Sequence, residues 1–432
     1  MATAAPMTMT EKILARASGR ESVRPGDLVL ARVDYAMGHD LTIPPAGKIM
    51  REQMGAEKVW DPARVAVVQD HFQPAKDAAS ATLGRLTREF ARDMGIEWYF
   101  EVGQGGICHT VLPERGLTLP GELVAGADSH SCTYGALNCF ATGIGSTDLA
   151  CVLALGELWF RVPETLKFVY HNRLAEWVEA KDLILYVIGQ IGVDGARSKA
   201  MEHTGEALKD IDMEARLTMT NMAIEAGAKN GIMEFDSVTE EYLRPRAKRA
   251  YTPVSSDPGA EYEKVFEFDA ARVELSVAKP MSPDNWAPLS EVAGTRIDQV
   301  FIGSCTNSRI TDLRRAAAVL KGRQVAPGLR LIVTPSSHEV AKQAEKEGLI
   351  GIFLEAGAAW TTATCGACLG GHMGVLGEGE VCLSTTNRNF PGLMGHPKAL
   401  VYLSNPVVAA ATAVAGVITD PREVVGQHLA PV

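Results

Sequence analysis

The stretch IDQVFIGSCTNSRITDLRRAAAVL (residues 297–320) shows the plan on which the fold is built. Its apolar first part predicts a strand, a polar loop follows, and the last part predicts a helix. LRLIVTP (329–335) then predicts a strand, and SSHEVAKQAEKEG (336–348) predicts a helix with Ser336 and Glu339 as a capping box. Strands that alternate with helices indicate α/β layers with parallel sheets, so we expect functional side chains at the carboxyl ends of strands.

The same plan recurs nearer to the amino terminus. GELVAGADSH (121–130) predicts a short buried strand followed by a polar turn. GIGSTDLACVLALGELWF (143–160) predicts a helix with Ser146 or Thr147 as its N-cap and Asp148 in its first turn.

A chain of 432 residues is too long for one ordinary core. Pro, Ser, Asp and Gly concentrate at 251–263 and 278–288, which indicates connections, and VPETLKFVY begins a new strand near residue 165. We therefore expect three α/β/α domains, at residues 1–165, 166–290 and 291–432.

Composition narrows the function classes. The net charge of −10, with no basic run, argues against a nucleic-acid surface. The opening MATAAPMTMT lacks the apolar core of a signal peptide, and no apolar run approaches the ~20 residues of a membrane helix. We expect a cytoplasmic protein with no nucleic-acid partner and no membrane partner.

Three of the eight cysteines stand out by their context. SCTNS (304–308) and CGAC (365–368) each follow a predicted strand, in surroundings rich in glycine and threonine. Cys305, Cys365 and Cys368 are therefore candidate metal ligands, because thiolates suit both zinc and iron–sulfur centres. Three cysteines on a four-iron cluster would leave one iron open to substrate.

The spacing of these cysteines leaves other interpretations open. C-x-x-C also occurs in redox pairs and in half of a zinc site, and His372 could complete a Cys₃His zinc site. Free cysteine is also among the most buried residue types, so each could be a core residue. Spacing alone does not choose between a cluster and these alternatives.

Groups suited to acid–base chemistry gather in three segments of the first 131 residues. These are QDHFQP (69–74) with Asp70 and His71, GGICHTVLPE (105–114) with Cys108 and His109, and GADSHS (126–131) with Asp128, Ser129 and His130. A carboxylate beside a histidine fixes the imidazole tautomer and raises its basicity. A single such pair is more often a turn or a helix cap, but three in one region favour catalysis.

Two later segments add polar candidates. MTNMAIEAGAKNG (219–231) predicts a helix with Asn221 and Glu225 on one face, a pair that in isolation is more often a surface contact. NRNF (387–390) places Arg388 beside Asn387 in a loop after a strand. Arginine offers a bidentate fork for a substrate carboxylate, although alone it is as often a surface ion pair.

Taken together, these segments resemble the aconitase superfamily, and within it the large subunits of 3-isopropylmalate dehydratases. The resemblance covers nearly the whole chain and rests on DH at 70–71, GICHTVLPE at 106–114, GADSHSCTYGALNCFATGIGSTDLA at 126–150, FIGSCTNSRITDLR at 301–314 and CGACLGGHMGVLGEGEVCLSTTNRNFPG at 365–392. Such a set in this order and spacing is highly specific. It implies a three-domain α/β fold, with parallel and mixed sheets, around a [4Fe–4S] cluster.

The resemblance also implies a role for each candidate residue. Cys305, Cys365 and Cys368 would hold the cluster, and the Asp70–His71 pair would protonate the leaving hydroxyl. The other residues would surround the cluster: His109 with Asp128 and Ser129 with His130 in its hydrogen-bond network, Asn221 and Glu225 at the cluster or its bound water, Asn387 as its support, and Arg388 on a substrate carboxylate.

The implied activity is that of a hydro-lyase that removes and re-adds water on a small 2-hydroxy di- or tricarboxylic acid. The foremost substrate pair is 2-isopropylmalate and 3-isopropylmalate, in leucine biosynthesis. Dimethylmalate, citraconate or methylmalate, maleate and homoaconitate stay open as substrates. RNA binding, known for some cytosolic aconitase relatives, is the alternative from another class, and the acidic composition argues against it.

The sequence departs from the aconitase pattern in two places. Complete aconitases carry a swivelling domain whose glycine- and serine-rich loop supplies the serine base and carboxylate-binding arginines, and no such motif occurs up to Val432. We therefore expect a separate small subunit, in a heterodimer or heterotetramer, and an inactive lone chain. Leu393, in NRNFPGLMG, stands where the family pattern has a second arginine, which weakens carboxylate recognition or makes room for an alkyl group. GHDLTIPP (38–45) is expected to contribute to the pocket.

Overall fold

The computed structural model describes residues 5–426 and 428. Its α-helices, α1 to α13 in chain order over that part, are Met9–Ser18, Ile43–Glu52, Ala78–Asp93, Cys108–Glu114, Ser146–Leu155, Ala180–Ile191, Met213–Asn221, Ser237–Leu243, Ile310–Leu320, His338–Lys346, Leu349–Glu355, Pro406–Ala415 and Pro421–Val425. Short 3₁₀ helices occupy Pro62–Arg64, Ser129–Leu137, Glu206–Asp210, Met222–Ala226, Ala270–Arg272, Leu289–Glu291 and Gly366–Leu369. None of the described helices is long and apolar enough to span a membrane.

The strands of the same part, β1 to β18, are Leu28–Arg32, Tyr35–His39, Val65–Val68, Trp98–Phe100, Leu123–Gly126, Phe140–Gly143, Glu157–Arg161, Thr165–His171, Ala200–Thr204, Asn230–Met233, Lys264–Asp269, Ser276–Ala278, Trp286–Pro288, Gln299–Ile302, Arg330–Val333, Ala359–Trp360, Val381–Ser384 and Leu400–Leu403. They form three larger sheets and one antiparallel pair, β1 with β7. The first sheet has the order β4-β3-β2-β5-β6 and the second β10-β9-β8-β11, and both are parallel.

The third sheet, of order β13-β12-β18-β17-β14-β15-β16, is mixed. β14 to β18 pair in parallel, whereas β12 pairs antiparallel with both β13 and β18. The predicted α/β class with parallel and mixed sheets is therefore confirmed. The domain boundaries near residues 165 and 290 stay predictions; β12 and β13, which precede residue 290, belong to the third sheet.

Runs of apolar residues explain why the central strands are buried. Val65–Val68 and Leu123–Gly126 are buried at every position, as expected for parallel strands covered on both faces. Apolar helix α12, from Pro406 to Ala415, packs on the third sheet and on α9. The first and third sheets thus have apolar cores. The candidate residues Asp70, Asp128 and Cys305 follow the carboxyl ends of strands in these two sheets.

Three local predictions were wrong in detail. The helix expected over 143–160 ends at Leu155, because Gly156 adopts a left-handed φ of 72° and β7 follows. Its N-cap is Gly145 rather than Ser146 or Thr147, although Asp148 does lie in the first turn.

The predicted capping box of α10 was also displaced by one residue. Ser337, not Ser336, is the N-cap, and its hydroxyl accepts the Val340 N–H. The helix expected over 219–231 ends at Asn221 and continues only as the 3₁₀ turn Met222–Ala226.

Candidate active site

Loops that follow strands of the first and third sheets meet at one cavity of about 90 Å³. Direct contacts join them: the Cys365 N–H donates to the carbonyl of Asp70 at 2.8 Å, and the Thr364 hydroxyl donates to the same oxygen at 2.8 Å. The cavity is lined by His71, Ile107, His109, Asp128, Ser129, His130, Cys305, Cys365, Cys368, Leu369, Asn387, Arg388 and Leu393.

Asp70 and His71 follow β3 and form a buried pair. Asp70 Oδ1 lies 2.7 Å from His71 Nδ1, and Asp70 Oδ2 accepts the backbone N–H of Cys108 at 2.8 Å. Burial opposes ionisation of Asp70, but the imidazole of His71 prevails and lowers the pKa of the carboxyl. Burial likewise opposes protonation of His71, yet Asp70 and then Asp128 hold the pKa of the imidazole well above its usual value.

Asp128 is the second residue after β5, and it contacts several histidines of the site. Its Oδ1 lies 2.7 Å from His109 Nε2 and accepts the His130 N–H at 2.8 Å, while its Oδ2 lies 3.3 Å from His71 Nε2. Burial would raise the pKa of Asp128, but the three histidines lower it well below the usual range. Burial lowers the pKa of His109, because its carboxylate partner only partly compensates.

A second chain of contacts runs from His130 to Arg388. Glu225 Oε1 lies 2.7 Å from His130 Nε2 and accepts the Nε–H of Arg388 at 2.7 Å. Burial and then Arg388 lower the pKa of His130, but hydrogen bonds to Asp128 and Glu225 outweigh them and raise it overall. Arg388 therefore reaches the cavity with its orientation fixed by a buried carboxylate.

The three cysteines come from two connections of the third sheet. Cys305 follows β14, directly after Ser304, whose φ of 87° is unusual for a residue other than glycine. Cys365 is the N-cap of the 3₁₀ turn Gly366–Leu369 after β16, and Cys368 lies within that turn. All three are free thiols and buried.

Neutral side chains contact the sulfurs. The amide Nδ2 groups of Asn221 and Asn387 lie 3.1 and 3.4 Å from Cys305 Sγ. Contact with Cys365 lowers the pKa of Cys368 to about 6, and the same contact raises the pKa of Cys365 well above its usual value. Burial, and next the nearby Cys368, raise the pKa of Cys305 to about 12.

All thirteen residues that the sequence assigned to the site have a defined place in it. Ten line the cavity directly, and the other three, Asp70, Asn221 and Glu225, lie behind it and contact residues of the lining. Ser129 lines the cavity, with its hydroxyl 3.4 Å from His130 Nδ1. Their individual catalytic roles stay predictions.

Two residues of the 38–45 segment complete the site, and the sequence did not assign their contacts. The Asp40 carboxylate accepts the backbone N–H groups of Asp70, His71 and Phe72 at 3.2, 2.9 and 2.8 Å. The ring of His39 stacks on that of His71 with centroids 3.8 Å apart. Burial, and next the neighbouring His71, lower the pKa of His39 to about 4. An HD pair at the end of a strand was the available signal, because β2 and β3 are parallel neighbours.

Comparisons with known proteins show the family of the chain. A model of the family described as aconitase (aconitate hydratase) matches residues 11–416. The chain belongs to the aconitase family. Its relatives include the 3-isopropylmalate dehydratase large subunit 1 of Pyrococcus furiosus, 58% identical over 97% of this chain and 99% of the relative. The 3-isopropylmalate dehydratase large subunit of Aquifex aeolicus is 56% identical over 97% of this chain and 98% of the relative.

A solved structure shares the aconitase-family fold. The holo form of aconitase X from Thermococcus kodakaraensis aligns with a TM-score of 0.50 and 13% identity, over 86% of this chain and 88% of that one. At this identity the likeness supports the fold alone.

Proposed function

We propose that this chain is the large subunit of an iron–sulfur hydro-lyase that interconverts 2-isopropylmalate and 3-isopropylmalate in leucine biosynthesis, in the cytoplasm. One observation carries the proposal: three thiols, three imidazoles and an arginine line a single cavity. The names of the relatives, 3-isopropylmalate dehydratase large subunit, agree with it.

The donor set suits a [4Fe–4S] cluster held by Cys305, Cys365 and Cys368. Their three sulfurs face one cavity, and soft thiolates are the usual ligands of such clusters. The competing Cys₃His zinc site is disfavoured, because His372 Nε2 contacts Thr364 Oγ1 at 3.3 Å, outside the group of side chains that line the cavity. When bound, the cluster would supply a Lewis acid that polarises the substrate hydroxyl.

His71 is placed to protonate the leaving hydroxyl. Hydroxide is a poor leaving group, so a general acid must deliver a proton as the carbon–oxygen bond breaks. Asp70 and Asp128 hold the pKa of the imidazole well above its usual value despite its burial, which favours the protonated form. The pair therefore holds a proton where the dehydration step needs one.

Arg388 and the apolar lining would orient the substrate. The guanidinium, held by Glu225, is suited to a substrate carboxylate. Ile107, Leu369 and Leu393 give the same cavity an apolar side that can receive an isopropyl group.

The base that removes the carbon-bound proton would come from a small subunit, in a heterodimer or heterotetramer. The "large subunit" in the names of the relatives supports such a partner. The lone chain should accordingly be inactive, and the complex should bind only its small acid substrate, with no nucleic acid or membrane as a partner.

Anaerobic reconstitution tests the proposal. We expect about four iron and four sulfide per chain, and turnover of isopropylmalate only after the small subunit is added. Dimethylmalate, citraconate, maleate and homoaconitate serve as competing substrates. Zinc without sulfide would contradict the cluster, turnover by the lone chain would contradict the partner, and preference for another acid would contradict the substrate.

A further inference from the structure

A buried lysine lies behind the loops that carry several site residues. Lys181 Nζ donates to the carbonyl oxygens of Thr385 and Thr386 at 2.9 and 2.7 Å, and to Asn307 Oδ1 at 3.2 Å. Its side chain has no exposed surface. One ammonium thus contacts two loops of the third sheet from a helix that follows β8.

The place of Lys181 is electrostatically costly. It is the second residue of α6, where the partial positive charge of the helix N-terminus disfavours a cation. Burial lowers the pKa of its ammonium to about 7, although Asp312 and Asp182 oppose that change. Strong acceptors must offset these costs, and the two loop carbonyls meet that need.

The acceptors lie next to the catalytic lining. Thr386 directly precedes Asn387 and Arg388, and Asn307 lies two residues after Cys305. Asn307 Nδ2 also donates to Asp312 Oδ1 at 3.0 Å, which fixes the amide that faces Lys181. A shift of either loop would therefore change the position of Arg388 relative to the thiols.

We propose that Lys181 is a positioning residue, which holds the loop of residues 385–388 in register with the loop of residues 304–307. Its ammonium acts through the backbone of these loops and does not touch substrate. The consequence for substrate binding rests on the role proposed for Arg388. The loop register itself does not depend on that role.

Hydrogen–deuterium exchange on the full chain without metal tests the register directly. Lys181→Met removes the donors and the charge with little change in volume, and we expect about tenfold faster amide exchange in 303–308 and 384–389. Tyr170→Phe is the matched control, because it removes a buried hydrogen bond to His203 in the second sheet, away from both loops. It should leave exchange in the two loop segments unchanged.

Kinetics of the reconstituted complex supply the second readout. We expect Lys181→Met to raise KM about tenfold, since Arg388 shifts, with a smaller change in kcat per loaded cluster. If Lys181→Met does not fold, Lys181→Gln is used in its place, because glutamine is shorter than lysine and uncharged.

Wild-type exchange in both loops of the Lys181 variants would overturn the proposal. An equal rise across α6, β8 and the loops would overturn it too, because it would indicate a general loss of stability. If exchange rises in the loops but wild-type complex does not turn over isopropylmalate, the proposed function fails while the positioning role stands.

Discussion

The two halves of the cavity are built in opposite ways. On the side of the first sheet, carboxylates and imidazoles neutralise one another, with Asp128 shared among three histidines. On the side of the third sheet, the thiol of Cys305 contacts the amides of Asn221 and Asn387, which carry no charge.

The two halves of the cavity therefore differ in how buried charge is balanced. Paired charges satisfy each other inside the protein, whereas three buried thiols cannot all ionise in a low-dielectric interior without a cation. The raised pKa values of Cys305 and Cys365 express that restriction. The charges of the acid–base half are therefore balanced within the chain, whereas the proposed cluster would balance the charge of the thiolates.

The largest expected effect comes from removing one thiol. Cys365→Ala should abolish the cluster and lower kcat more than about 1,000-fold, because loss of a ligand removes the Lewis acid. Iron and sulfide content with visible absorbance under anaerobic conditions measures the loss.

Cys382→Ala is the matched control for the thiol variant. Cys382 is equally buried but lies in β17, within the apolar core. It should keep its iron and lose only about 1 kcal/mol of stability from the small cavity. Full iron content in Cys365→Ala would contradict the assignment of the ligands.

The next effect concerns the acid–base half. Asp128→Asn removes the shared carboxylate and should lower kcat about 100- to 10,000-fold, the usual range for acid–base catalysis. The cluster should still load, because the thiols are untouched. Asp148→Asn, an exposed first-turn carboxylate of α5, should retain activity.

The pH dependence of kcat/KM should shift in a defined direction in Asp128→Asn. Asp128 helps to raise the pKa of His71, so its loss should lower that pKa. Since the general acid is lost as pH rises through its pKa, the alkaline limb of kcat/KM should move to lower pH. An unmoved limb in a partly active variant would argue against His71 as the acid.

The smallest effect is expected where the two halves meet. Leu393→Arg introduces a charge into the apolar side of the cavity and should raise KM for isopropylmalate about tenfold, the scale of alkyl-pocket discrimination. The KM for homoaconitate, which carries a further carboxylate, should rise less than this or fall. Val375→Arg adds the same side chain at an exposed position and should leave both KM values unchanged.

Much of the site could be predicted from local pattern. Asp70, His71 and Asp128 follow apolar runs, and parallel strands bring their carboxyl ends to one edge. The contacts of His39 and Asp40 could not be predicted, because they depend on β2 lying between β3 and β5. The cap of α10 was misplaced by one residue, because Ser336 and Ser337 adjoin and both satisfy the same local pattern.

The sequence by itself determined the α/β class through apolar periodicity and, through the resemblance to the aconitase superfamily, the polar residues expected at the site. Both rest on local properties, namely periodicity and the order of motifs along the chain. Only the tertiary structure decided how the charges are shared. Three arrangements depend on contacts between residues that are distant in the chain. Asp128 contacts three histidines, Asp40 accepts three backbone N–H groups, and Lys181 contacts two loops. Burial strengthens those contacts, because the electrostatic interaction between paired groups is stronger in a medium of low dielectric constant.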